Sequence, residues 1–229
     1  MGMILLLVAN LYFLAGISLM VFAKAYPTNE LMKMIMDHGR GTKPTIFHVS
    51  KNNFVYFYVI GTLCGIYSIY QHFTLLKFVF VIHLFRRFLE NHILFQSNTV
   101  MHLSHLIVGM TFYPMVWILL ELDDTTLTVT KTFWIFMFLI TVIFQSMIHL
   151  TLSRNSCKKK LPMFWPFDYI ICPNFTCEIV LYFIIMIMIP SISTFILFVF
   201  VSGNQIISAL QRKEQYPKLS QSAIFYPFL

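Results

Sequence analysis

The chain has 229 residues, 58% of them apolar and only 11% charged, with a mean hydropathy of +0.75. Soluble domains carry about 25% charged residues, so a water-soluble globule is excluded and an all-α membrane protein is implied. The net charge of +7 bears on topology and lipid headgroups, because the charges form no solvated basic surface for nucleic acid.

The first apolar run, Met3 to Ala23, is long enough to cross a bilayer. Ala23-Lys24-Ala25 has the small-x-small form of a signal-cleavage site, but no basic segment precedes the run, which predicts a retained helix. Further apolar runs cover about 54–73, 74–95, 100–121, 131–152, 175–190 and 191–210, separated by short turns or by Pro190. Each suits a helix, which satisfies its own backbone polar groups in lipid. The pattern predicts a seven-helix bundle in one transmembrane domain, 1–229, with no linker or repeat dividing it. Cys64, Cys157, Cys172 and Cys177 form no CxxC pair and no zinc spacing, so neither a metal site nor a disulfide framework is indicated.

Seven spans place the termini on opposite sides. Lys24, Lys33, Arg40, Lys43, Lys51, Arg86, Arg87, Arg154, Lys158, Lys159, Lys160, Arg212, Lys213 and Lys218 fall on one side, and only Lys77 and Lys131 on the other. The positive-inside rule then predicts a luminal N-terminus and a cytosolic C-terminus.

Charges inside the third run demand a reason, since one at the bilayer centre costs at least about 2.5–3.5 kcal/mol. His83, Arg86, Arg87 and Glu90 are spaced i, i+3, i+4, i+7, which is one helix face. Thr141, Gln145 and His149 form a second stripe, Asn174, Glu178 and Tyr182 a third, and Asn204, Ser208 and Arg212 a fourth. Such residues often do no more than cross-link helices, and a Glu90–Arg87 pair is consistent with pure architecture. Four stripes at similar depth point instead to a polar cavity for a polyanion, since arginine forks suit phosphate. His102-x-x-His105 with His83 and His149 is too sparse for a membrane di-iron site. No GxGxxG, P-loop or GxSxG motif appears.

The segments IHLFRRFLEN and SNTVMHLSHLIVGMTFYPMVWILL resemble the steroid 5α-reductase family, and within it the polyprenol (polyprenal) reductase branch. FDYIICPNFTCEIVLY, QSMIHLTLSR, NELMKMIMDHGRGTKP, HVSKNNFVYFYVIG, NQIISALQRKEQYPK and the final PFL extend the resemblance over nearly the whole chain. It implies a multi-pass endoplasmic reticulum protein in which NADPH reduces a carbon–carbon double bond conjugated to a carbonyl. The matching positions for the cofactor are Arg87, Gln145, His149, Tyr169, Asn174 and Glu178, with Arg86, Glu90 and Asn204 beside them. The family's catalytic acid lines up with Asn29-Glu30, and Tyr67 and Tyr70 are candidates for its tyrosine partner. The branch implies a long-chain polyprenoid substrate; a 3-oxo-Δ4-steroid or a trans-2-enoyl thioester is the alternative within the family. A membrane methyltransferase, or a seven-helix transporter or receptor, is the alternative outside it. The tail departs from the family: it is shorter before Tyr216-Pro217-Lys218 and less basic beyond, so Arg212, Lys213 and Lys158–Lys160 are candidates for the adenosine phosphate.

Overall fold

The computed structural model describes residues 2–26, 48–94, 100–123, 126, 128–155 and 165–214. Among them are seven α-helices: α1 (Gly2–Ala25), α2 (Val55–Gln71), α3 (Leu75–Ile93), α4 (Leu103–Leu120), α5 (Val129–Asn155), α6 (Pro173–Met188) and α7 (Ile192–Lys213). Gly2–Ala25, Lys51–Gln71, Leu103–Leu120, Val129–Arg154 and Ile192–Lys213 are each long and apolar enough to cross a membrane. α6 is apolar but has 16 residues, and the 19 residues of α3 carry Lys77, Arg86, Arg87 and Glu90. The chain is an all-α, multi-pass membrane protein.

The helix boundaries have local causes. Thr74 caps α3 by accepting from the Lys77 backbone N–H at 3.3 Å. Ser191 and Thr194 form a reciprocal capping box that restarts the helix as α7 just after Pro190. Pro173 opens α6 in the first turn, where its missing N–H costs nothing. The sequence gives no hint of strand, yet β1 (His48–Ser50) pairs antiparallel with β2 (Val100–His102), with His48 opposite His102. The pairing ties the chain entering α2 to the chain entering α4.

Two compact units divide the chain, Met1–Thr126 and Leu127–Leu229. In the first, α2 packs against both α3 and α4, and α1 lies along α4. Glycines let α2 approach closely. A Cβ on Gly65 would lie 2.3 Å from Trp117 Cζ2 and 2.5 Å from Val81 Cγ2, and one on Gly61 2.9 Å from Tyr113 Cγ. Trp117 uses that proximity to donate from Nε1 to the Gly61 carbonyl at 2.7 Å, which satisfies its polar edge inside an apolar core. The Tyr12 hydroxyl of α1 donates to the Val108 carbonyl at 2.9 Å.

In the second unit, α6 packs against α5 on one side and α7 on the other. Ile148, Phe167 and Cys177 form the buried core between α5 and α6. Ile171, Cys172 and Ala209 form the core toward α7. Most of the outward residues on these helices are large and apolar, including Phe136, Ile143, Met147 and Phe195, as lipid contact requires.

Candidate functional site

In the first unit, the one-face spacing of His83, Arg86, Arg87 and Glu90 becomes a continuous chain of contacts. Arg86 Nη1 donates to Glu90 Oε1 at 2.6 Å, and Arg87 Nη1 donates to Glu90 Oε2 at 2.8 Å. Each carboxylate oxygen therefore takes one guanidinium. Arg86 Nη2 lies 3.2 Å from His83 Nδ1, and the His83 ring stacks on Phe80 at 5.9 Å. On the other flank, Arg87 Nη2 donates to the Tyr58 hydroxyl at 3.0 Å, with its guanidinium carbon 5.2 Å from the Tyr58 ring centre. The side chains of Arg86, Arg87 and Glu90 are 17%, 15% and 10% exposed, so the group is largely withdrawn from solvent and lipid. Two guanidiniums thus share one carboxylate, and each fork keeps N–H donors beyond those that Glu90 takes.

The opposite end of α3 carries a second ion pair. Lys77 is fully buried and its Nζ donates to Glu121 Oε2 at 2.7 Å and to the His72 carbonyl at 3.2 Å. The Ser68 hydroxyl donates to the other Glu121 oxygen. This group joins the end of α2, the start of α3 and the end of α4, and its charges cancel.

In the second unit, Gln145 Nε2 donates to Glu178 Oε2 at 2.7 Å and approaches the Asn174 carbonyl at 3.5 Å. Gln145 is 1% exposed and His149, one turn further along α5, is 4% exposed. Tyr182, one turn beyond Glu178 on α6, is 2% exposed. A buried amide and a half-buried carboxylate thus face one another across α5 and α6. Thr141, in the same stripe, spends its hydroxyl on the Met137 carbonyl at 2.8 Å in its own helix, which is the structural use of such a residue. Among the described residues, no group of three or more His, Cys, Asp or Glu side chains is placed to hold a metal ion.

Of the residues singled out in the sequence, Arg86, Arg87 and Glu90 meet in one cluster, and Gln145, Asn174 and Glu178 meet in another. Tyr169 is 68% exposed in the turn before α6, and Asn204 is half-buried on α7. Tyr67 and Tyr70 are 66% and 83% exposed near the far end of α2, away from Tyr58 and Arg87. Asn29, Glu30 and Lys158–Lys160 lie outside the described residues. Sequence reasoning missed Tyr58. Its position is i+3 to Val55 on an aromatic-rich helix, and only the structure shows which tyrosine meets Arg87. An apolar depression of about 690 Å³ lined by Met186, Ile187, Pro190, Ser191, Ile192 and Phe195 includes none of these residues.

Comparison with known proteins agrees with the sequence motifs. The model of the 3-oxo-5-alpha-steroid 4-dehydrogenase family matches residues 98–223. The polyprenal reductase of Saccharomyces cerevisiae is 30% identical over 178 residues, covering 74% of this chain and 68% of that protein. The family match spans more than half of the chain and the relative covers most of it: the chain belongs to the steroid 5α-reductase family of oxidoreductases.

Proposed function

We propose that the chain is an NADPH-dependent reductase of the α-isoprene double bond of a long-chain polyprenal, a step toward dolichol and protein N-glycosylation. In this reading it is a single seven-span reductase domain, 1–229, in the endoplasmic reticulum membrane, with the N-terminus in the lumen and the C-terminus in the cytosol. The observation that carries it is the Arg86–Glu90–Arg87 group, which gathers two guanidiniums on one carboxylate within a membrane helix. Membrane proteins keep such costly charges where a ligand or a pathway uses them.

Each unit offers donors and acceptors of kinds that a nicotinamide dinucleotide takes up. Arg86 and Arg87 offer planar forks of the kind that hold phosphate oxygens. Gln145, Asn174 and Glu178 offer an amide and a carboxylate of the kind that pair with a carboxamide. His149, Tyr169, Asn204 and Glu90 complete the proposed cofactor residues, with Arg212, Lys213 and Lys158–Lys160 as candidates for the adenosine phosphate. When bound, NADPH supplies a hydride to the β-carbon of the conjugated double bond.

The chain's part is then electrostatic. Negative charge builds on the aldehyde oxygen, and a neutral acid beside it lowers the barrier. We assign that acid to Glu30, with Asn29 beside it; a carboxyl on a low-dielectric wall keeps its proton and donates. The α-carbon takes a proton from water. The aldehyde is favoured over the alcohol because an allylic alcohol has no carbonyl to receive the charge. A polyprenyl chain enters from lipid, which a bundle in the bilayer permits.

The test is purified full-length protein assayed in parallel with NADPH and polyprenal, polyprenol, testosterone or enoyl-CoA. Saturation of the α-unit of polyprenal, with the other three unchanged, is the expected outcome. Turnover of testosterone alone would move the assignment to the steroid side of the family, and turnover of none would overturn it. Expression in cells lacking their own polyprenoid reductase should restore the dolichol fraction, and Glu30→Gln should blunt the rescue.

A further inference from the structure

The Arg87 guanidinium is held from two helices. Nη1 rests on Glu90, three residues along α3, and Nη2 rests on the Tyr58 hydroxyl of α2. A guanidinium is planar and its five N–H donors are rigidly related, so fixing two of its nitrogens fixes the direction of the rest. Glu90 alone does not do this, because an i, i+3 contact within one helix leaves the fork free to turn about that bond.

Tyr58 is itself held. Its ring lies 5.7 Å from that of Tyr113, which is 6% exposed on α4. Tyr113 reaches α2 because position 61 is glycine; a Cβ there would come within 2.9 Å of its ring. The order of support runs from Gly61 to Tyr113, from Tyr113 to Tyr58, and from Tyr58 to Arg87. Each step is a packing contact or a hydrogen bond, and the chain ends on the charge that the proposed function uses.

We propose that Tyr58 is a positioning residue for cofactor binding, which fixes the plane of the Arg87 guanidinium for a phosphate of NADPH. The hydroxyl supplies the second acceptor and the ring supplies a face toward which a cation is drawn. The inference rests on the functional reading above, and one set of titrations separates the two.

NADPH binding to the full-length protein is measured by its fluorescence, and kcat is measured with polyprenal at saturating NADPH. Tyr58→Phe keeps the ring and removes the acceptor; it should raise the NADPH Kd about three- to tenfold, the range of one ordinary hydrogen bond, because the loss reaches the ligand only through Arg87. At saturating cofactor its kcat should stay near that of the parent protein. Tyr58→Leu, which also removes the ring, should bind more weakly still. Tyr58→Phe in an Arg87→Ala background should add no further loss, because Tyr58 then has no guanidinium to hold. Should Tyr58→Phe fail to fold, Tyr58→His supplies the reading, since an imidazole keeps a ring and an acceptor nitrogen and its Kd should lie between those of the parent protein and Tyr58→Leu. Unchanged Kd in a folded variant, or full additivity with Arg87→Ala, overturns the role of Tyr58 and leaves the reductase reading standing. Absence of NADPH binding in the parent protein overturns both.

Discussion

Helix α3 carries an ionic group at each end, and the two are built differently. The Lys77 group is balanced: one cation, one anion, and a serine on the second carboxylate oxygen. The Arg86–Glu90–Arg87 group, roughly 15–20 Å along the same helix by its rise per residue, is unbalanced, with two cations on one anion. The balanced group joins three helix ends, and its lysine is fully enclosed. The unbalanced one sets two guanidiniums on a single carboxylate. Burial of charge therefore does not by itself mark a site.

The sharpest way to break this contrast is to unbalance the balanced end. Glu121→Gln leaves the Lys77 ammonium enclosed without its counter-charge, and breaking a buried pair from one side costs about 3–5 kcal/mol. Glu121 is itself about half exposed, which places the expected loss at the low end of that range. Thermal unfolding in detergent should show it as a clear drop in Tm, and NADPH binding by the folded fraction should be unaffected. Replacing both partners, with Lys77→Met and Glu121→Gln together, should recover much of the lost stability. If the single variant instead lost cofactor affinity at unchanged Tm, the Lys77 group would belong to the site.

At the other end, the order of effects reverses. Arg87→Ala removes one of two cations and leaves Glu90 paired with Arg86, so the buried carboxylate keeps a counter-charge. Stability should change little, while NADPH affinity should fall by about 1.5–3 kcal/mol, the range for a hydrogen bond to a charged group. Calorimetry or fluorescence titration of the folded variant reads this directly, and unchanged affinity would make the cluster architectural. Between the two ends, Gly65→Ala tests packing alone. Its Cβ would enter the space of Trp117 and Val81, and overpacking of this kind costs about 1–3 kcal/mol. The expected result is a lower Tm with the NADPH Kd unchanged.

Much of the scaffold was legible in the sequence, because apolar run length dictates helix position in a membrane protein. The run at 74–95 is α3 at Leu75–Ile93, and the run at 191–210 is the core of α7. The run at 131–152 understates α5, Val129–Asn155, since a helix does not stop where hydropathy falls; it continues through Thr151, Ser153 and Arg154. The run at 100–121 conceals a strand in its first three residues, too short to show an alternating pattern. Of the site, the i, i+3, i+4, i+7 spacing sufficed for Arg86, Arg87 and Glu90, because helical geometry brings those positions together unaided. Contacts between helices were not legible. Lys77 read as a topology signal, and Tyr58 was one aromatic among several on a lipid-exposed helix. Their partners lie 44 and 29 residues away, beyond any local periodicity.

The smallest effect is expected in the second unit, where the balance of charge is opposite. Glu178 faces the neutral amide of Gln145, so this pair presents an excess of negative charge where the arginine cluster presents positive. Glu178→Gln keeps the shape and leaves an oxygen able to accept from Gln145 Nε2, while removing the charge. A hydrogen bond to a charged group is worth about 1.5–3 kcal/mol and a neutral one about 1, so the change in Tm should be slight. If the carboxylate also accepts from the nicotinamide carboxamide, as proposed, its neutral replacement should weaken NADPH binding by about 1 kcal/mol, less than the loss at Arg87. Glu178→Ala should do more, because it also takes from the buried Gln145 amide its 2.7 Å acceptor and lowers Tm. Titrating both variants with NADPH and with reduced nicotinamide mononucleotide, which lacks the second bridging phosphate, the adenosine and its 2′-phosphate, separates the two charged sites. Loss at Glu178 should appear with either ligand. Loss at Arg87 should shrink with the mononucleotide if its guanidinium meets the bridging phosphates, and a proportional loss with both ligands would place Arg87 at the nicotinamide end instead.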